Sequence, residues 1–159
     1  QGLTYLGELI SPKLAAGEKV DEAWLKRGDL SGVDTLWRRW SPDWDPGLYL
    51  DNAKHTLAEP GVIGAALGWY RAMFKLWKKE QRKALSWLGQ DISTPTQILI
   101  GENDGCMSPK LLEHTLVESD FSGGVELQRI ANAGHFLHLE QPEVINDHLL
   151  RLLNNTRCD

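Results

Sequence analysis

Apolar residues recur along this chain in two rhythms, and the change between them falls near residue 90. Before it the spacing is helical. Residues 18–27 are rich in helix formers, with Asp21 placed to cap them. Residues 29–40 carry Leu36, Trp37 and Trp40 at intervals of three and four, and residues 48–58 form another helical stretch stopped by Pro60-Gly61. Between these two lies the turn-rich run Ser41-Pro42-Asp43-Trp44-Asp45-Pro46. The longest helical pattern runs from Val62 to about Leu88, with a break expected at 76–80. Ala66, Trp69, Tyr70, Met73, Phe74 and Trp77 line one side of it, and Lys75, Lys78, Lys79, Arg82 and Lys83 another. Residues 1–19 hold a short apolar patch, Tyr5, Leu6, Leu9 and Ile10, that fits no single element.

From Pro95 onward the rhythm shortens. Ile98-Leu99-Ile100 is a continuous apolar run bounded by Pro and Gly, the mark of a buried strand in a parallel sheet. Gly101 ends it, and Asp104 follows on the loop. A helix is expected over 108–117, with Pro109 in its first turn. A second strand follows at 125–130, then a loop carrying Gly134 and His135, then a helix opened by Pro142 and Glu143. Strand, acid loop, helix, strand, histidine loop, helix is a βαβα unit. It sets Asp104 and His135 at the carboxyl ends of neighbouring parallel strands, where ligands bind in open α/β sheets. A carboxylate there can orient an imidazole and stabilise its charged form. Glycine before His135 lets the backbone take a conformation that a bulkier residue resists. The fold class is therefore α/β, with a helical part over 1–90 and a βαβα part over 91–159.

Composition narrows the function. The chain has 159 residues, 42% of them hydrophobic, which suits a globular core. Its net charge of −5 offers no footprint for nucleic acid, and the basic run at 75–83 is read as a solvated face. No apolar run reaches membrane-spanning length. Cys106 and Cys158 have neither metal nor disulfide spacing, which points to a reducing, cytoplasmic setting. All seven tryptophans lie before residue 90, as either the core of a small helical domain or a lid over something apolar. His135, His138 and Glu140 could be written as a zinc set, but the spacing lacks a supporting helix. His138 is expected to be packed, and His55, His114 and His148 to lie on exposed helix faces.

Residues 95–153 resemble the C-terminal end of an α/β-hydrolase, a family that orders its triad nucleophile, acid, histidine. Asp104 in G-E-N-D-G matches the acid, and His135 in A-G-H-F-L-H-L-E-Q-P-E matches the histidine. The helical part resembles the cap that this family inserts ahead of those residues. Within it, A-L-G-W-Y-R at 66–71 is similar to the cap motif of epoxide hydrolases, whose tyrosine donates a hydrogen bond to the oxirane oxygen. Tyr70 matches that tyrosine. Tyr5, seven residues ahead of Pro12, is the candidate for a second one, although its flanking residues differ from the family pattern. Trp69, Met73 and Phe136 are the candidate substrate-binding residues.

The departure from the family is as informative. No G-x-S-x-G elbow, no aspartate version of it and no H-G-x-P oxyanion loop occurs in this sequence. The resemblance thus implies a partial α/β-hydrolase, a helical cap followed by a βαβα unit that supplies the last two parallel strands. The nucleophile half would lie elsewhere, as a separate chain or a removed segment, or would be lost altogether in a remnant. With an aspartate nucleophile the chemistry would be epoxide opening or halide displacement through an ester. With a serine it would be ester or amide hydrolysis. Neither metal nor organic cofactor is required. The implied partners are a small apolar substrate and the missing N-terminal half, and the chain alone is expected to be inactive. The alternative is a non-catalytic module that binds an apolar ligand or a partner chain.

Overall fold

The structure, a computed structural model, describes residues 22–73, 79, 82–83, 86–87 and 89–155. Tyr5, Asp21, Phe74, Trp77, Cys158 and most of the expected break at 76–80 lie outside the described residues. The chain is helical with a small parallel sheet, and it separates into two compact units. Residues up to Trp37 and Pro46–Trp87 form the first. Arg38–Asp45, although it interrupts the helical stretch, groups with Leu88–Asp159 in the second.

In the first unit, α1 (Glu22–Leu25), α2 (Ser31–Trp40), α3 (Leu48–Ala58) and α4 (Val62–Met73) follow the helical spacing of the sequence. α2 starts two residues later than the pattern suggests, because the chain turns through left-handed backbone at Gly28 (φ 52°) and Leu30 (φ 55°). That conformation costs a leucine about 1–2 kcal/mol. The side chain offsets it by joining a core of Trp24, Leu25, Val33, Leu50 and Ile63, against which Leu36, Trp37, Leu57 and Leu67 pack. Val33 and Ile63 are only 3% and 2% exposed. Burial of such a side chain is worth roughly 1.5–3 kcal/mol. Lys54 of α3 reaches Asp34 of α2 at 3.1 Å and Asp29 at 3.3 Å, linking the two helices across the turn that separates them.

In the second unit, β1 (Thr96–Gly101) and β2 (Val125–Ile130) pair in parallel, in register from Thr96 opposite Val125 to Gly101 opposite Ile130. Between them runs α5 (Pro109–Thr115), with Pro109 at its start and the Ser108 hydroxyl accepting from the Leu111 N–H at 3.3 Å. It ends two residues short of expectation, since Leu116 is extended. A forked ion pair from Arg129 of β2 to Glu113 of α5, at 2.5 and 2.6 Å, locks the crossover. Ahead of β1, Asp91 accepts from both the N–H and the hydroxyl of Ser122, joining the two strand entrances.

Four expectations need correction. The apolar run of β1 is buried only at its C-terminal end, Ile100 and Gly101, while positions 96–99 are half-covered. Among the described residues the sheet has two strands, so each is paired along one edge only. The loop after β2 does not run straight into the last helix, α7 (Pro142–Asn155); a one-turn helix, α6 (Leu137–Glu140), intervenes. On α7 His148 is buried, not exposed, because it sits three residues from the core residue Ile145. Its Nδ1 lies 3.4 Å from the Gln97 amide nitrogen. His138, expected to be packed, is exposed on α6, whereas His55 and His114 are exposed as expected.

Candidate active site

Both strands end in loops that are tied to each other before any side chain is considered. Beyond β1, the Glu102 N–H donates to the Ile130 carbonyl and the Asn103 N–H to that of Ala133, each at 2.9 Å. The β1 loop then folds back, with the Asp104 N–H donating to the Gly101 carbonyl. These bonds bring Asp104 and His135 together. His135 Nδ1 lies 3.0 Å from Asp104 Oδ2, across 31 residues of sequence. The other carboxylate oxygen, Oδ1, accepts from the N–H groups of Cys106 and Met107, both at 2.7 Å. The Asp104 side chain is 4% exposed and that of His135 is 29% exposed.

Burial by itself would raise the Asp104 carboxyl. The hydrogen bond from His135, joined by the N–H donors of Met107 and Cys106, outweighs it and holds the group below its ordinary value. The carboxylate thus faces the imidazole as an acceptor, which selects the tautomer with its proton on Nδ1 and leaves Nε2 as the nitrogen for proton transfer. The neighbouring Cys106 is shifted the other way. Burial, then the charge of Asp104, pushes its thiol up to about 11 against the pull of Arg39. That thiol is no nucleophile at neutral pH.

Arg38–Asp45 crosses both loops as a strap. The Trp40 carbonyl accepts from the N–H of Gly105 at 3.1 Å and of His135 at 3.0 Å, one from each loop. Asn103 Nδ2 donates to Asp43 at 2.9 Å. The Trp40 ring meets the His135 ring edge-on with centroids 5.1 Å apart, and Phe136 lies 6.1 Å from both Trp40 and Trp44. Ser41, only 2% exposed, donates its hydroxyl hydrogen to Glu140 Oε1 at 2.7 Å.

Glycine at 134 has a different cause from the one its position suggests. Its backbone is not among those with positive φ; instead, a Cβ there would lie 2.6 Å from Ser41 Cα and Oγ. Gly105 is the same case, since a Cβ would collide with the Arg39 carbonyl. The left-handed residue of the histidine loop is Asn132 (φ 55°), a type that tolerates the conformation.

Of the residues singled out from sequence, the structure brings together Asp104, His135 and Phe136, whose ring lies 5.4 Å from that of His135. Trp69, Tyr70 and Met73 fall on α4, and their side chains are outside what the structure describes. Sequence reasoning gave Trp40 only a helical spacing, Ser41 only a turn and Glu140 only a rejected zinc set, and assigned none of them to this site. Glu140 did carry a signal, as a lone acid in the apolar turn five residues after His135. Ser41 carried none beyond its place in a turn.

No family model matches the sequence, and no curated protein matches it. Among solved structures, the chain is similar to a point mutant of an epoxide hydrolase from Bacillus megaterium. Identity is 21% and the TM-score 0.59, over 94% of this chain and 50% of that one. The chain shares the fold of half an α/β-hydrolase. It spans about half the length of that neighbour.

Proposed function

We propose that this chain is the cap, acid and histidine portion of an α/β-hydrolase that opens epoxides through a covalent ester, with its nucleophile supplied from outside these residues. The observation that carries the reading is the 3.0 Å bond from His135 to an Asp104 carboxylate whose second oxygen is saturated by two backbone donors. A carboxylate held this way cannot rotate away from the imidazole. The fold likeness to an epoxide hydrolase supports the substrate class, as does Tyr70 in its W-Y-R run.

In this reading an aspartate on the absent half attacks a ring carbon, the C–O bond breaks, and the oxygen takes a proton from Tyr70, helped by Tyr5. His135 then removes a proton from water through Nε2 while Asp104 stabilises the imidazolium. The hydroxide adds to the ester carbonyl; collapse expels the second alkoxide, which takes the proton of the new carboxylic acid to give the diol and the aspartate carboxylate, and the imidazolium proton returns to the Tyr70 phenolate. Residues 1–90 form the cap, and Trp69, Met73 and Phe136 supply apolar wall for a small substrate.

The test joins this chain, fused or mixed, to a nucleophile-bearing N-terminal half and offers it epoxide, ester and haloalkane. Parent protein should turn over the epoxide. His135→Gln should stop after one equivalent, with the ester visible as a mass adduct on the nucleophile half. Parent turnover rates in the His135→Gln variant would refute the mechanism, and activity confined to esters would refute the substrate class. The 159-residue chain by itself should show no turnover.

A further inference from the structure

We propose that Ser41 and Glu140 are positioning residues for His135, a role that rests on the reading of His135 as the base. The three successive N–H groups at 134, 135 and 136 all point at this pair. Gly134 donates to Glu140 Oε2 at 2.7 Å, and Phe136 to Glu140 Oε1 at 3.0 Å. The His135 N–H is shared between the Ser41 hydroxyl oxygen and the Trp40 carbonyl, each at 3.0 Å, and Phe136 approaches the Ser41 oxygen at 3.3 Å. A serine hydroxyl has one hydrogen and two lone pairs. Here the hydrogen goes to Glu140 Oε1 and the lone pairs to His135 and Phe136, so the group is fully used.

Every group that reaches Glu140 is a donor: Ser41 Oγ and Phe136 N on one oxygen, Gly134 N on the other. A carboxylate accepts on both oxygens, whereas a glutamine amide would turn an NH2 toward a donor on one side. The site is therefore specific for the acid. A loop that needed only to be folded could satisfy three amides with water. This one uses a buried hydroxyl 94 residues away, which fixes the His135 backbone on both sides and with it the approach of Nδ1 to Asp104. Gly134, with room for no Cβ against Ser41, belongs to the same device.

The experiment is proton and nitrogen NMR of the 159-residue chain with Ser41→Ala, Glu140→Gln and, as a control, Asp91→Ala. The control removes a comparable loop staple, the Ser122 contacts, far along the chain from His135. Two signals are read, the His135 Nδ1–H proton bonded to Asp104 and the exchange rate of the His135 amide. Ser41→Ala and Glu140→Gln should each lose the Nδ1–H signal and exchange the amide about three- to tenfold faster, the Trp40 carbonyl keeping its share of that N–H. Asp91→Ala should lower stability and move neither. In the joined enzyme the same two variants should lower kcat by about ten- to a hundredfold with KM little changed, as for a small misplacement of a catalytic group. Should Glu140→Gln fail to fold, Ser41→Ala, which removes a single oxygen, decides alone. Parent-like Nδ1–H signal and amide protection in these variants, or losses no greater than in Asp91→Ala, would overturn the proposal. Because the NMR readout needs no nucleophile, it reports the positioning of His135 whether or not the joined enzyme turns over, so the two failures are distinguishable.

Discussion

Asp104 is held by three donors, and two substitutions separate what they contribute. Asp104→Asn keeps an acceptor for the Cys106 and Met107 N–H groups and loses the charge. Its amide nitrogen then faces His135 Nδ1, so the imidazole must move its proton to Nε2 to accept instead. The folded state should lose about 1 kcal/mol, the scale of trading a charge-assisted bond for a neutral one. Asp104→Ala removes all three bonds. The Cys106 N–H is part-buried and bears a desolvation cost, whereas that of Met107 can reach water. The sum is about 3 kcal/mol, so the two variants should differ by about 2 kcal/mol in urea melts at pH 7. The acid limb gives a second check. The Asp104 carboxyl is held below its ordinary value, so its contribution is complete above the unfolded value of about 3.9 and fades as pH falls through the lower folded value. Asparagine has no such titration, and the gap between parent and Asp104→Asn should close over that interval. Equal destabilisation by the two variants, or a gap constant from pH 7 to pH 2, would refute this account.

Two further outcomes are expected, the first from the site's geometry and the second from the proposed function. With its thiol pushed up to about 11, Cys106 in a Cys158→Ser background should be alkylated at pH 8 about a hundredfold or more slower than in urea, since its thiolate fraction falls by about that factor. Equal rates by mass spectrometry would contradict the burial assigned to it. In the joined enzyme, Tyr70→Phe should slow epoxide opening by about ten- to a thousandfold with folding little changed, the scale for losing one oxyanion donor. Steady-state turnover at the parent rate would remove Tyr70 from the mechanism.

What could be read from sequence was what local chemistry encodes. The Ile98-Leu99-Ile100 run, Gly101 and the Ser108-Pro109 start marked β1 and α5. Asp104 and His135 stood out because each lies on the loop that follows a strand. The strap could not be read in the same way. Ser41 and Glu140 are 99 residues apart, and a serine before proline reads as a turn whatever it later touches. Gly134 was visible as an anomaly, but a sequence does not say whether a glycine answers to backbone angle or to a neighbour, and here the neighbour is Ser41. His148 was misjudged for a related reason. Polarity argued for the outer face of α7, yet its spacing from Ile145 puts it on the inner one, while Leu149, Leu150 and Leu153 are left exposed.

The strap also has a cost in chain entropy that the acid and base do not share. Asp104 and His135 close a span of 31 residues, Ser41 and His135 one of 94. Loop-closure entropy grows only with the logarithm of length, so the threefold longer span adds about 1 kcal/mol. One hydrogen bond to Ser41 is of that size, and the strap makes several. The acid–base pair is thus a product of neighbouring chain, and the contact that holds it still is recruited from far away at little thermodynamic expense. Insertions between residues 45 and 95 would therefore lengthen the tether without much weakening the grip on His135.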